Sequence, residues 1–442
     1  MLKGRINNYL SNKSILILGF GREGRSTLNY INKNNICYTR IAIADKNETI
    51  EKQENIEYFL GSNYLEAIYG FDIIIKSPGI SLKEIDLSEI KGKITSQAEL
   101  FLKYGKEKVI GITGTKGKST TSSLIFQMLS KELSVELVGN IGIPVLDYVD
   151  KYEKTSYFVY ELSSHQLELV DASPKIAVFL NLYEEHLDYY KSFELYASAK
   201  RNIFKHQDES DIFVYNKDMK NVLIGGEQVK ARSIEISQIE AEANPLKNKF
   251  VNLTIDTNDI HLLGTHNLYN LTIAATVAKL VGVSDSSIIN VIKNLKPLPH
   301  RLETIGTYEG VKYIDDSIST IPEATISALK SINDVDTVLI GGMDRGVNYD
   351  ALIEYLINAK VSNVILMYDS GKRIYEKLRK RPLKNNLVFA EDLEKATELA
   401  TKITGKGSIC LLSPASASYG FFKNFEERGD KFKEYIKKYS DN

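Results

Sequence analysis

The sequence predicts an α/β protein built in three successive parts, and three observations predict it. Short apolar runs alternate with helix-period segments along the chain. Two of those runs break into glycine-rich turns that open a helix, at Gly19–Gly24 and at Gly114–Ser119. At 442 residues the chain also exceeds what one ordinary core organises.

Composition narrows the function classes. Hydrophobic residues make up 43% and charged residues 26%, a soluble globular balance. A net charge of −1 provides no footprint for nucleic acid or an anionic membrane. No apolar stretch approaches membrane-span length, and the first residues lack the apolar core of a signal peptide. The two cysteines, Cys37 and Cys410, sit in strand-like apolar surroundings and are expected to be reduced core residues of a cytoplasmic protein.

The first part covers residues 1–95. Ser14–Leu18 reads as a buried strand running into Gly19-Phe20-Gly21-Arg22-Glu23-Gly24 and a helix to about Lys33. A second strand ends at Asp45, placed for a ribose hydroxyl of a dinucleotide; the alternative is a Rossmann-like unit holding another nucleotide. A third strand, Phe71–Lys76, ends in Ser77-Pro78-Gly79, where open α/β sheets bind ligands; the bland reading is a chain reversal.

The middle part, 96–298, holds the stretch that names a chemistry. The buried strand Val109–Ile112 breaks into Gly114-Thr115-Lys116-Gly117-Lys118-Ser119, and a helix follows with Leu124, Ile125, Met128 and Leu129 on one face. Glycines let backbone N–H groups converge on an anion, the helix start adds partial positive charge, and Lys118 adds a full one. Ser119 is placed to put a hydroxyl on phosphate-bound magnesium. The loop is a short variant, since the general pattern would put glycine at Ile112.

Next, Tyr157–Tyr160 is a largely apolar run ending in Glu161, a natural second magnesium ligand at a strand tip. Ile176–Asn181 is another strand, and His186 follows it toward the same rim. A helix from about Ser192 to Phe204 puts Tyr196, Lys200 and Phe204 on one face, so Lys200 is flanked by aromatics. Desolvation favours its neutral amine, the form that takes up carbon dioxide to give a carbamate. Residues 205–263 read as a small mixed or β-rich insertion, after which Asn267 sits near a helix start, as a cap or an adenine contact. His165, His206 and His261 read as structural or exposed.

The last part, 299–442, follows a proline-stiffened linker, and a hinge is expected near Pro297 to His300. Strands and helices alternate again, predicting a mostly parallel sheet. Polar loops follow its strands around Asp315–Ser317, Gly341–Gly346 and Ser413–Ser418, and can share one ligand rim.

Taken together, GTKGKST, GNIGIP, YELSSHQLE, LNLYEEHLD, YASAK, GTHNLYN, PHRLE, DDS and SPASASYGFFKNFEERG resemble the ATP-dependent Mur ligases of peptidoglycan synthesis, over the whole chain. The resemblance implies a Rossmann-like N-terminal domain, a central P-loop-type ATPase domain with a parallel sheet, and a C-terminal Rossmann-like α/β domain. It implies a monomeric ligase that phosphorylates the L-alanyl carboxyl of UDP-N-acetylmuramoyl-L-alanine with ATP and captures it with glutamate. Lys118, His186 and Lys200 would be catalytic. Gly114, Thr115, Lys116, Gly117, Lys118, Ser119, Thr120, Asn267, Arg301 and Asp316 would bind ATP. Ser119, Glu161, His186 and carbamylated Lys200 would hold two Mg2+ ions. Gly19, Phe20, Asp45, Lys46, Ser77, Pro78, Gly79, Asn140 and His186 would surround the UDP-sugar. Thr320, Arg345, Ser418 and Phe425 would line the glutamate site. The chain departs from the family at Ile318 and Arg345, where the family has lysines that help bind the incoming amino acid. D-glutamate is the expected substrate; an L-glutamate ligase, or more distantly a folylpolyglutamate synthetase-like enzyme, is the alternative. A nicotinamide oxidoreductase would leave the loop at Lys118 unused, and a GTPase would need a guanine-reading motif that no fitting position carries.

Overall fold

The computed structural model describes residues 2–140, 143–186, 189–255, 266–295 and 299–440. The described chain contains three sheets. The described residues divide into two compact units, one reaching as far as Asn294 and the other beginning at Leu295.

The first sheet comprises β1 (Ser14–Leu18), β2 (Arg40–Asp45), β3 (Glu57–Leu60), β4 (Ile73–Lys76) and β5 (Lys93–Thr95), all parallel, in the order β3-β2-β1-β4-β5. β1 lies at the centre, covered on both faces, which is why it reads as an unbroken apolar run. The edge strands β3 and β5 were not expected: they are short and only partly buried, so they carry no such run.

The second sheet comprises β6 (Val109–Thr113), β7 (Val135–Gly139), β8 (Tyr157–Glu161), β9 (Ile176–Phe179), β10 (Ile212–Asn216) and β11 (Arg232–Ile236), also parallel, in the order β11-β10-β9-β6-β8-β7. The expected insertion over 205–263 is corrected here. As far as residue 255, that stretch is the edge of the same parallel sheet, β10 and β11, joined and followed by short helices at Lys220–Ile224 and Gln238–Ala243. β11 alternates exposed and buried residues because it is an edge strand, and that alternation imitates an antiparallel ribbon. Residues 256–265, His261 among them, lie outside the described residues.

Both sheets of this unit feed one apolar cluster. Leu2, Ile6, Leu10, Ile15 and Ile17 from the first part join Phe101, Val109, Phe158, Tyr160 and Phe179. Phe101 packs edge-on against Phe158 with ring centroids 5.0 Å apart.

The second unit carries β12 (Glu303–Tyr308), β13 (Val311–Asp315), β14 (Val335–Gly341), β15 (Asn363–Met367), β16 (Asn386–Ala390) and β17 (Ile409–Leu412), in the order β12-β13-β17-β14-β15-β16. Only β12 runs antiparallel, paired with β13. Separate apolar clusters built on Ile314, Val338, Ile340 and Leu366 and on Tyr313, Leu339, Ile365 and Phe432 form its core. The expected linker residues Lys296, Pro297 and Leu298 lie outside the described residues.

One cysteine expectation is corrected. Cys410 is buried in β17, and burial pushes its thiol pKa up, but Cys37 is exposed on the irregular segment before β2. Its apolar neighbour Ile36 points inward instead.

Candidate active site

The carboxyl end of β6 sets the geometry of the first unit's site. After Thr113 the chain turns through Gly114–Gly117 and enters the helix Lys118–Leu129. Gly117 has φ +82°, and a Cβ there would lie 2.7 Å from Asn270 Oδ1, so the turn needs glycine for its backbone and for space. Asn270 in turn donates from Nδ2 to Asn267 Oδ1 at 2.9 Å, which ties Asn267 to the loop. Asn181, just past β9, clasps the loop twice: its Oδ1 accepts from Lys116 N at 2.8 Å and its Nδ2 donates to Lys116 O at 3.1 Å. Thr115 Oγ1 lies 3.0 Å from the Tyr196 hydroxyl and accepts from Tyr183 N at 3.0 Å. Ser119 is buried and Thr120 half-buried in the first helical turn.

Two lysines converge on this loop. Lys118 Nζ donates to Gly114 O and Thr115 O at 2.9 and 3.0 Å. Lys200, 1% exposed, donates from Nζ to the same Gly114 carbonyl at 2.8 Å and lies 5.0 Å from the Tyr196 ring. Burial, and then the charge of Lys118, push the Lys200 amine well below the ordinary lysine range. The helix Phe193–Lys205 that presents it is capped by Ser192, whose side chain accepts from Leu195 N.

Glu161, fully buried at the tip of β8, accepts from Asn140 Nδ2 at 2.9 Å through Oε1, while its Oε2 has no hydrogen-bond partner among the described residues. A buried carboxylate oxygen without a donor is a vacant hard ligand, so the residues here fit a divalent cation. Glu185 pairs with Lys116 at 2.6 Å; burial raises its carboxyl pKa, but Lys116 outweighs that and leaves it below the ordinary value. His186 follows in left-handed backbone at φ +58°, its ring 5.0 Å from that of His165.

A cavity of about 200 Å³ opens beside this rim, within the same unit, between the first and second sheets. Arg22, Glu23, Ser77, Pro78, Asn140 and Gln166 line it. Gln166 Nε2 donates to Glu23 Oε1 at 2.9 Å, and burial pushes the Glu23 carboxyl pKa up. Of the other sequence-predicted residues, Gly19 and Phe20 are buried nearby, and Asp45 is occupied by Phe20 N at 2.6 Å and Asn47 N at 2.7 Å. Lys46 and Gly79 are exposed.

The second unit brings its predicted residues onto the carboxyl ends of β13, β14 and β17. Asp316, 3% exposed, accepts from Ser319 Oγ at 2.6 Å, Ser413 Oγ at 2.8 Å and Leu302 N at 3.3 Å. Burial raises its pKa to about 6 despite those donors and nearby Arg301. His300 Nδ1 lies 2.7 Å from Asp315 Oδ2; burial works against its charge, but Asp315 prevails and holds the imidazole pKa above its ordinary value. His300, Glu303 and Asp315 cluster closely, yet Lys433 Nζ already sits 2.9 Å from Glu303, so the protein supplies that cluster's cation. Arg345 is exposed and donates to Thr320 O at 3.4 Å. Ser418 is buried, and the Phe425 carbonyl accepts from Ser317 Oγ at 2.8 Å.

Several residues that shape these sites were not predicted: Asn181, Glu185, Gln166, His165, Asn270 and Arg428. All six lie within the stretches that carry the family resemblance, but only Gln166 had a physical signal of its own, the Ser163-x-x-Gln166 capping box that the short helix Ser164–Leu167 uses.

With the geometry in place, the chain can be compared with known proteins. Residues 13–96 match the family model described as Mur ligase MurD-like, N-terminal domain; residues 112–278 match Mur ligase middle domain; residues 300–416 match Mur ligase, glutamate ligase domain. The UDP-N-acetylmuramoylalanine--D-glutamate ligase of Clostridium acetobutylicum is 33% identical over 97% of each chain. The protein of the same name from Oceanobacillus iheyensis is 34% identical over 96% of this chain and 98% of that one. In fold the chain is similar to the MurF ligase of Thermotoga maritima in complex with ADP, with a TM-score of 0.57, 17% identity and coverage of 98% of this chain and 96% of that one. It is similar also to UDP-N-acetylmuramate-alanine ligase from the same organism, with a TM-score of 0.57, 18% identity and coverage of 97% and 100%.

Proposed function

The chain belongs to the Mur ligase family, and on that premise we propose that it joins D-glutamate to the L-alanyl carboxyl of UDP-N-acetylmuramoyl-L-alanine, consuming ATP and releasing ADP and phosphate. The observation that carries this reading is the meeting of Lys118, Lys200 and a Glu161 oxygen without a donor among the described residues, around one phosphate-type loop.

A carboxylate oxygen is a poor leaving group, so the acid must first be activated. A substrate carboxylate oxygen attacks the terminal phosphorus of ATP, that P–O bond forms, the bond to ADP breaks, and an acyl-phosphate results. The glutamate amine then attacks the acyl carbon, loses a proton, and phosphate departs as the amide forms. The first-turn N–H groups of the helix Lys118–Leu129 and the Lys118 ammonium balance charge on the transferring phosphoryl group, since the N–H groups of Thr115 and Lys116 are already held by Asn181. Ser119, Glu161, His186 and a carbamate on Lys200 are the residues we assign to Mg2+, which when bound supplies charge neutralisation for phosphoryl transfer. The neutral amine that burial favours at Lys200 is the reactant for carbon dioxide. Gly114, Thr115, Lys116, Gly117, Thr120 and Asn267 are assigned to ATP in the first unit, Arg301 and Asp316 in the second. The cavity beside Ser77, Pro78 and Asn140 is assigned to the UDP-sugar, with Gly19, Phe20, Asp45, Lys46 and Gly79 around the uridine. Thr320, Arg345, Ser418 and Phe425 are assigned to glutamate.

One observation favours a second reading. Ile318, half-buried beside Thr320, offers no charge to a carboxylate, and Arg345 provides a forked guanidinium instead of an ammonium. An L-glutamate ligase is the alternative that this altered amino-acid site supports. The names of the relatives support D-glutamate. We place the domain boundaries at 1–95, 96–298 and 299–442, and the enzyme in the cytoplasm as a monomer; among the described residues no helix is long and apolar enough to cross a membrane. Coupled ADP release with UDP-N-acetylmuramoyl-L-alanine and either D- or L-glutamate tests the proposal. Turnover with D-glutamate is expected; turnover with L-glutamate alone selects the second reading, and turnover with neither rejects the substrate assignment.

A further inference from the structure

Of the proposed catalytic residues Lys118, His186 and Lys200, His186 alone stands on a loop, although its carbonyl accepts from Tyr189 N and Tyr190 N at 3.0 and 2.9 Å. It lies in the loop beyond β9, outside any helix or strand, at φ +58°. A side chain on such a loop points where its neighbours make it point. Its ring packs steeply inclined on His165, with centroids 5.0 Å apart and planes at 71°, and more distantly on Tyr196 at 6.1 Å, while its Nε2 lies 3.9 Å from Glu185 Oε2.

His165 is itself well fixed. It lies in the first turn of the short helix Ser164–Leu167, locked by the reciprocal hydrogen bonds of Ser163 and Gln166. Its ring is walled by Tyr189 at 4.3 Å and Tyr190 at 5.6 Å. That helix follows β8 directly, and β8 ends at Glu161. His165 therefore stands four residues beyond the buried carboxylate, on the same locally rigid run of chain.

We infer that His165 is a positioning residue: its ring transmits the placement of the β8 tip to His186, so that Glu161 and His186 are held in a fixed relation at the reacting centre. The ring contact is the part of this relation that the structure shows, and an aromatic ring of the right size supplies it. An aromatic residue without nitrogen should therefore substitute, whereas a methyl group should not. The inference rests on the proposed role of His186, so a variant of that residue is the control.

The experiment measures kcat, the KM for ATP and the melting temperature of the full chain as His165→Ala, His165→Phe and His186→Ala. For His165→Ala, kcat should fall at least about tenfold, since small misplacements of reacting groups are expensive, while the KM for ATP and the melting temperature stay close to those of the parent. His165→Phe should recover at least half of the parent kcat. Three outcomes overturn the inference: undiminished turnover by His165→Ala, a His165→Phe variant as slow as His165→Ala, or a loss of kcat in His165→Ala matched by a fall in melting temperature that phenylalanine reverses in parallel. Undiminished turnover by His186→Ala would instead reject the underlying assignment, leaving the two failures distinguishable.

Discussion

Lys200 lies among aromatics with its amine on a backbone carbonyl, a placement that disfavours the charged form. If the buried amine works as a carbamate, Lys200→Ala should lose nearly all turnover and regain part of it with formate or acetate, which return an anionic oxygen to the gap. An undiminished rate in that variant would exclude the role. Asp316 supplies a pH signature. Its folded pKa of about 6 lies above the unfolded value of about 3.9. The native state therefore keeps a proton that the unfolded chain has released between those values. Stability falls as pH rises through that window, and the deficit, about 3 kcal/mol, is fully present above it. Asp316→Asn should thus melt above the parent at pH 7.5 and level with it at pH 4; a constant difference across both would count against the burial argument.

At the scale of elements, turns carry the constraints. Gly117→Ala forces an L-residue into left-handed backbone and pushes a methyl onto Asn270, with a cost of about 1–2 kcal/mol before the clash. The KM for ATP should rise at least tenfold, as steady-state kinetics would read. In the second unit the buried Arg428 donates to Ser317 Oγ, Ser317 O and Ser416 O, pinning two strand-end loops together. Its guanidinium pKa is lowered to about 10 by burial. Arg428→Met should cost about 3 kcal/mol by leaving carbonyls unpaired, and chemical denaturation would measure it. Its neighbour Gly429 leaves room for His300, whose Nδ1 a Cβ would approach to 2.1 Å. Elements covered on both faces, such as β1 and β6, were legible in the sequence because their apolar runs are unbroken. Edge strands β3, β5, β12 and β16 were not, since a half-exposed strand has no run to read. The loop at Lys118 and the lysine at 200 were legible from local order and helical spacing. Asn181, Glu185 and Arg428 were not, because their partners lie 65, 69 and 111 residues away.

At the scale of the molecule, the two units have separate apolar cores: one cluster runs through both sheets of the first unit, and others belong to the second. Unfolding should therefore depart from a single two-state transition. Calorimetry should resolve two endotherms, with Arg428→Met lowering one and Gly117→Ala the other; one endotherm shifted by both substitutions would refute this. The first two sheets, by contrast, should melt together. Leu2, Ile6 and Leu10 stand in the same cluster as Phe101 and Val109. An expression clone stopped after Thr95 would leave its share of that cluster, Leu2 to Ile75, without the partners beyond it, and its product should accumulate as insoluble aggregate. A clone ending at Asn294 keeps the cluster whole and is the shorter piece to try for soakable crystals.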